Sequence, residues 1–464
     1  MTVLTFDFGT GATKVGLWSG STLVALTRAP VETQHPAPGF AEQDPEAWWR
    51  TAVDAAAAAC AAAPDAYARV RIVAASTARE TFACVDAQLR PLGPGILWSD
   101  TRARDQVAAL GDPTEFRART GVQATAGSCA AKIAWLRVHD PQRFREAAWL
   151  LGPRDLVFAR LTGRVDTDPS VASRTGVYDL EGAYLGDEPL ADRLPSVTSS
   201  LDPRPIGHPE LLGLPADAVA VLGAGDRACE ALGVGAAPDV PMLSFGTTAN
   251  ASVPHAGPPS ALPPVAQVSR AVGDGYLVEA GLSVAGAALD WLAALTGRSR
   301  DELLARAADV APGADGLLAF PWLQGARAPW WHPEARAVFA GLTSAHGPAE
   351  LARAVLEGIA LDAARSVELV APTARALVLA GAGARDPTWA RIVAALTERD
   401  VVRRRLDDAA SAGARLVARD DDAVTADSVN PVTAVDPPEP TLVDAYRRVR
   451  AASDALAARL LTPT

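Results

Sequence analysis

The stretch from Val219 to Gly235 reads Val-Ala-Val-Leu-Gly-Ala-Gly-Asp-Arg-Ala-Cys-Glu-Ala-Leu-Gly-Val-Gly, and its reading decides the fold. An apolar, β-branched run ends in Gly223 and Gly225. Asp226 then opens a segment with helical spacing, in which Ala228, Ala231 and Leu232 share one face. The pattern predicts a buried strand that turns sharply into a helix. Glycine lets the backbone turn where a Cβ would clash, and it leaves open space above the end of the strand. Asp226 is expected in that space, where unpaired N–H groups of the first helical turn favour a carboxylate. Two uses of Asp226 fit this stretch alone: a helix cap, or a functional acid at the mouth of a cleft.

Working outward, strands and helices alternate along most of the chain, which predicts an α/β protein. Thr2 to Phe8 reads as a strand that turns at Asp7-Phe8-Gly9-Thr10-Gly11, and further strands follow at Lys14 to Trp18 and around Leu23 to Ala29. The tip of such a hairpin is rich in backbone N–H and hydroxyl groups and can hold phosphate oxygens. Met242 to Asn250 reads Met-Leu-Ser-Phe-Gly-Thr-Thr-Ala-Asn and repeats the Phe-Gly-Thr of positions 8 to 10 near the midpoint of the chain. Two strand-turn-strand tips predict a duplicated unit with phosphates clamped between the copies. Pro238-Asp239-Val240-Pro241 precedes the second copy, so the expected units are residues 1–238 and 239–464.

Further strands are expected at Val70 to Ala75, Thr81 to Val85, Gly95 to Trp98, Tyr276 to Leu282, Leu317 to Trp322 and Ala376 to Ala380. Helices are expected after the Asp44-Pro45-Glu46 start signal and at Thr101 to Leu110, Cys129 to Arg137, Gly286 to Thr296, Arg300 to Ala311, Ala349 to Val370 and Thr441 to Leu461. Asp420 to Pro440 is acidic and contains prolines, and it reads as a surface loop.

A chain of 464 residues is too long for one core and fits two domains. The net charge of −11 opposes a nucleic-acid partner, because phosphate backbones require a basic surface. Four dispersed cysteines, with no Cys-x-x-Cys pair, fit reduced thiols better than a disulfide or zinc framework. The start of the chain lacks a signal-peptide pattern, and no apolar run is long enough to span a bilayer. The expected location is cytoplasmic, without membrane association. Only Lys14 and Lys132 are lysines; the other basic residues are arginines.

These segments together resemble the FGGY carbohydrate kinases from Val3 to about Ala418. The motifs that carry the resemblance are Asp7-Phe8-Gly9-Thr10, Ile96 through Arg102, Gly223-Ala224-Gly225-Asp226 with Gly233 and Gly235, and Phe245-Gly246-Thr247-Thr248. Pro329 through Gly341, Leu351 through Gly358, and Gly381-Ala382-Gly383-Ala384 with Trp389 continue the series. The resemblance implies two actin-like, ribonuclease H-like domains with a catalytic cleft between them. It also implies transfer of the γ-phosphoryl group of Mg-ATP to a hydroxyl of a small sugar or polyol. Asp226 would be the catalytic base, and Asp7 would face Mg2+ through water. Thr10, Gly11 and Lys14 would contact phosphates from the first tip, and Gly246 and Thr247 from the second. Gly286, Gly381 and Gly383 would flank the nucleotide. Lys132 aligns with a helix position that is often Lys in the family and receives no role. A homodimer is left open.

Substrate choice is expected in Ser76-Thr77-Ala78-Arg79-Glu80-Thr81. The chain as a whole is most similar to the xylulose kinase branch, which usually carries Gln-Met-His-Gly here. Arg-Glu-Thr is the glycerol kinase form, in which Arg and Glu bind polyol hydroxyls. Arg79 and Glu80 are therefore substrate-binding candidates, together with Arg227, Trp98 and Asp226, and a structural ion pair is the alternative for Arg79 and Glu80. Gly127 stands where glycerol kinases place Tyr, which would enlarge the pocket, and Arg227 stands in place of Gln and would suit an oxidised or acidic substrate. Ala326 replaces a frequent Glu, and Ala382 interrupts a run of glycines. Trp330 and Trp331 join Trp98 as aromatics able to line a sugar face. The first reading of the acceptor is a ketopentose such as xylulose, with a glycerol-like or tetritol-like polyol as the alternative. An actin-like ATPase without sugar kinase activity is the competing class, and a silent sugar-binding regulator a further one.

Overall fold

Thr2–Phe8 is buried at every position and forms a central strand of a six-stranded sheet in the computed structural model, which describes residues 1–259, 261–406 and 408–461. The strand order is Arg204–Pro205, Val219–Gly225, Val70–Thr77, Thr2–Phe8, Ala12–Ser19, Thr22–Pro30. Thr2–Phe8 pairs antiparallel with its hairpin partner Ala12–Ser19 and parallel with Val70–Thr77, which in turn runs parallel to Val219–Gly225. The largely apolar character of these central strands follows from burial on both faces.

The second half of the chain repeats the plan. Met242–Phe245 pairs antiparallel with Ala249–His255 and parallel with Ala376–Ala380, which runs parallel to Asp400–Arg404. Tyr276–Gly281 and Gln267–Arg270 complete one edge of this seven-stranded sheet, and Val432–Asp436 closes the other. The duplication expected from the two Phe-Gly-Thr turns is thus a duplication of sheet topology, as in the actin-like, ribonuclease H-like fold. The helix Pro348–Val370 covers the second sheet, with Val355, Leu356 and Ile359 buried in its core. Each such side chain contributes about 1.5–3 kcal/mol on burial.

The two halves meet through an unusually close helix crossing. A Cβ on Gly413 would lie 1.8 Å from the Cys229 carbonyl oxygen, and one on Gly233 would lie 2.0 Å from that of Ala409. Only glycine allows the Ala409–Val417 helix to press its backbone against the Asp226–Gly233 helix. The Ala409–Val417 helix also reaches the first sheet, where Ser411 Oγ lies 3.1 Å from Thr5 Oγ1. It was not expected from the sequence, because its buried face is built largely from alanine, glycine and serine, and the last two mark turns as readily as helices.

Two expectations change. The Asp420–Pro440 segment contains a helical turn, Ala426–Val429, and the edge strand Val432–Asp436. The strand leaves Val432 and Val435 exposed, so no inward apolar alternation marks it. The expected helix at Thr101 to Leu110 is a 3-10 helix over Arg104–Leu110 with no buried residue. Among the described residues, no helix is long and apolar enough to cross a membrane.

Candidate active site

Three parallel strands of the first sheet end level with one another. Phe8 and Gly225 both pair in register with Thr77, so the Gly9–Gly11 tip, the Ala78–Glu80 loop and Asp226 all spring from one edge. Loops at the carboxyl ends of parallel strands are where open α/β sheets hold ligands. Gly223 supports the turn: its φ is +73°, and an added Cβ would lie 1.8 Å from the Ala75 carbonyl oxygen.

Asp226 is the first residue of the Asp226–Gly233 helix, and Gly225 occupies the cap position. The capping role is therefore excluded. One carboxylate oxygen, Oδ1, accepts from the Arg79 Nε at 3.1 Å and from the Arg227 backbone N–H at 2.8 Å. Oδ2 has no partner among the described residues, and the side chain is 39% exposed. One oxygen is anchored and the other is open to a ligand.

Arg79 is spent within the protein. Its two terminal nitrogens donate to the two oxygens of Glu279 at 2.8 Å, and Nη1 also lies 3.4 Å from Ser269 Oγ. Glu279 stands on the Tyr276–Gly281 strand of the second sheet, so this fork joins the two halves. Burial pushes the Glu279 carboxyl up, but the Arg79 charge and hydrogen bonds outweigh it and bring its pKa down to about 2. Burial likewise works against the Arg79 charge, and Glu279 and Asp226 reverse that effect and raise its pKa. Glu279 was not singled out from sequence. Its signal was a single acid inside the otherwise apolar Tyr-Leu-Val-Glu-Ala-Gly strand.

Glu80, next in the loop, sits at a φ of +57° and accepts from Arg174 Nη2 at 3.0 Å. Arg227 turns away from the Asp226 side chain: its Nη1 donates to Glu230 at 2.6 Å and to Ser244 Oγ at 2.9 Å. Trp98 donates from Nε1 to Thr10 Oγ1 at 2.8 Å and from its backbone N–H to Thr81 Oγ1 at 3.1 Å, bridging the first tip and the Arg79 loop. An added Cβ on Gly127 would lie 2.9 Å from the Trp98 carbonyl oxygen. Lys132 is a buried strut, with its Nζ donating to the carbonyls of Glu80 and Leu97. Trp330 is tied to Asp362 at 2.9 Å and packs in a cluster with Phe320 and Trp322.

At the first tip, Lys14 lies between two carboxylates, 3.2 Å from Asp7 Oδ2 and 3.3 Å from Asp408 Oδ1. Burial opposes the Lys14 charge, yet the two carboxylates prevail and raise its pKa. Burial and the nearby Asp7 charge push Asp408 up to about 6. Gly11 has open space where a Cβ would stand. At the second tip the Gly286 N–H donates to the Gly246 carbonyl at 2.9 Å, and the Ala285 N–H donates to that of Thr247 at 2.9 Å. Gly381, at a φ of +76°, and Gly383 crowd Phe245, where added Cβ atoms would come within 2.6 and 2.7 Å. The structure thus gathers Gly246, Thr247, Gly286, Gly381 and Gly383 around the end of one strand. Among the described residues no group of three metal-ligating side chains occurs.

The N-terminal domain of the FGGY family of carbohydrate kinases matches residues 2–190, and its C-terminal domain matches residues 242–419. A xylulose kinase of Klebsiella pneumoniae is 34% identical over 408 residues, covering 84% of this chain and 83% of the relative. The chain belongs to the FGGY family of carbohydrate kinases. A glycerol kinase of Citrifermentans bemidjiense is 32% identical over 448 residues, covering 90% of this chain and 89% of the relative. The crystal structure of xylulose kinase from Rhodospirillum rubrum superposes with a TM-score of 0.88 at 27% identity, covering 99% of both chains. As an FGGY carbohydrate kinase, the protein is a phosphotransferase with an alcohol group as acceptor and ATP as donor.

Proposed function

We propose that this kinase phosphorylates a hydroxyl of a small open-chain sugar of ketopentose size, with xylulose as the reference substrate, and that Asp226 is its catalytic base. The observation that carries this reading is the division of labour within the Asp226 carboxylate. Oδ1 is fixed by Arg79 and by the Arg227 N–H, while Oδ2 is free and accessible. Phosphoryl transfer through a loose transition state depends on positioning and charge neutralisation more than on strong base catalysis. A rigidly held carboxylate that accepts the alcohol proton late in the reaction suits that demand.

In this reading residues 1–238 carry the sugar loop, the first tip and Asp226, and residues 239–464 supply the nucleotide side. Thr10, Gly11 and Lys14 would face the phosphates from the first tip, with Gly246 and Thr247 opposite and Gly286, Gly381 and Gly383 flanking the nucleotide. Glu80 and Trp98 would border the sugar, and Arg227, neutralised by Glu230, would border it from the helix. Arg79 would act on the substrate through Asp226, since its fork is held by Glu279.

The residues at the first tip fit a Mg2+ carried in with ATP. Asp7 offers one carboxylate, and the buried Oδ2 of neighbouring Asp408 has no hydrogen-bond partner. Mg2+ on nucleotides takes one or two carboxylates, with water and phosphate completing its shell. When bound, it would neutralise charge on the phosphates, and Asp7 would hold it.

The alternative acceptor is a polyol, which the Arg-Glu-Thr loop and the similarity to a glycerol kinase favour. An ADP-release screen over pentuloses, hexuloses, tetritols, pentitols, glycerol and aldonates tests the reading. Sugar-stimulated release that Asp226→Asn lowers by about 10²-fold or more supports it, and equal rates in the variant and the parent remove Asp226 as the base.

A further inference from the structure

Near Glu80 and Glu279 stands a cation without a protein partner among the described residues. Arg327 is half-buried, and among the described residues its guanidinium makes no hydrogen bond or ion pair; its one side-chain contact of note is the Trp331 ring, 5.9 Å from the centroid. Its backbone is fixed on the cleft side of the second sheet, because the Ala328 N–H donates to the Gly281 carbonyl at 3.1 Å, two residues beyond Glu279. The preceding residue, Ala326, is buried and contributes no carboxylate.

The acids that face Arg327 are Glu80 and Glu279, and Arg174 faces it as a like charge. Glu279 is committed through both oxygens and Glu80 through one. Glu279 accepts both arms of the Arg79 fork, and Glu80 accepts from Arg174 at 3.0 Å. Arg174 is itself nearly fully buried and still has Nε and Nη1 without partners. Burial pushes the Arg327 pKa down, which reflects a cation poorly compensated by its surroundings. Hydrogen bonds to a charged guanidinium are strong, so a ligand that replaces water on Arg327 with acceptor oxygens gains by making them.

Arg327 and Arg174 therefore offer free donors, while Asp226 Oδ2 remains an open acceptor among the described residues. A hydroxyl both donates and accepts, whereas a keto or carboxylate oxygen only accepts and matches a guanidinium without leaving a hydrogen unsatisfied. We infer that Arg327 is a specificity-determining residue that reads an acceptor-only oxygen of the substrate, the keto oxygen of a ketose or the carboxylate of an aldonate, and thereby discriminates against polyols. The inference rests on the kinase reading of this cleft and names the class of acceptor within it. Arg227, whose charge would also suit an oxidised substrate, is neutralised by Glu230 and does not compete for this role.

The test is ADP release by the full-length protein with a pentulose, the pentonate and the pentitol of matched configuration, for the parent, Arg327→Met and Arg327→Lys. The expected result is a kcat/KM for the pentulose or the pentonate at least about 30-fold above that for the pentitol. Arg327→Met should reduce that ratio to within about threefold of unity, and Arg327→Lys, which keeps a charge without the fork, should give an intermediate ratio. Preference for the pentulose assigns the keto oxygen, and preference for the pentonate assigns the carboxylate. A pentitol turned over as well as the oxidised sugars, or an Arg327→Met variant of unchanged melting temperature that loses all three acceptors equally, overturns the inference while leaving the kinase intact. Turnover of none of the three by the parent overturns the acceptor reading itself.

Discussion

Both terminal nitrogens of Arg79 lie 2.8 Å from the two carboxylate oxygens of Glu279, so a loop of the first sheet is pinned to a strand of the second. Through its remaining Nε, Arg79 also holds Asp226. The orientation of the proposed base thus depends on a residue about fifty positions further along the chain. Glu279→Gln keeps the size of the side chain but leaves Arg79 with one neutral acceptor in place of a matched carboxylate. Removing one member of a buried pair costs about 3–5 kcal/mol when the other charge is left uncompensated. The expected outcome is a lower melting temperature together with a kcat reduced by about 10-fold or more, read by calorimetry and ADP release. An unchanged kcat would show that Asp226 keeps its orientation without this link.

The same pair makes stability depend on pH in a defined window. The Glu279 pKa falls from an ordinary 4.5 to about 2 in the folded protein, where Arg79 overcomes the effect of burial. A depressed acid pKa stabilises the fold fully above the unfolded value, and the contribution is lost as pH falls toward the folded value. A shift of this size corresponds to about 3 kcal/mol as an order of magnitude. Urea midpoints measured between pH 5 and pH 2 should therefore fall less steeply for Glu279→Gln than for the parent. Parallel curves would remove Glu279 as a contributor to acid lability.

Lys14 provides a separate test on the phosphate side. It lies within 3.3 Å of both Asp7 and Asp408, and its removal would leave two carboxylates facing each other at the first tip. ATP phosphates would then meet negative charge without the compensating ammonium. Lys14→Met should raise the KM for ATP by about 10-fold or more and leave the KM for the sugar within about twofold. Equal increases in both would point to a general disturbance of the cleft instead of a phosphate contact.

Much of this arrangement was legible in the sequence because it is local. The Gly-rich turn before Asp226, the two Phe-Gly-Thr tips and the Gly381 turn each require particular backbone geometry, and glycine at those positions announces it. Contacts made between distant segments were not legible. Arg79 and Glu279 are paired by the approach of two sheets, and no spacing rule connects them. Arg79 therefore read as a free substrate ligand, while the structure commits its fork to Glu279. Lys132 illustrates the same limit: its Nζ spans the Glu80 and Leu97 carbonyls, a tertiary strut that helical position alone does not reveal. The Ala409–Val417 helix was missed because close packing of backbones selects alanine, glycine and serine, and the last two read as a turn as readily as a helix.

Gly225 offers the most direct test of how tightly the base is supported. A Cβ at this position would lie 2.5 Å from Arg79 Cδ and 2.7 Å from Arg79 Cγ. A long side chain often yields to such a clash by swinging aside, but the far end of Arg79 is pinned by Glu279. The stem must therefore bow away and carry Nε off Asp226 Oδ1, or else release Glu279. Either response loosens the carboxylate that the alcohol must meet, and small misplacements of reacting groups cost rate steeply. Gly225→Ala should lower kcat by about 10²-fold with a modest loss of melting temperature. Gly11→Ala, where nothing lies within 4 Å of the new methyl group, should leave the melting temperature unchanged and serves as the control for fold. Relief of the Arg79 anchor should partly restore a turned-over sugar, so Gly225→Ala combined with Glu279→Gln should lose less activity than the sum of the two single changes, because both act on one arginine. Strict additivity of the two effects in a double-mutant cycle would show that Gly225 and Glu279 act on Asp226 by separate routes.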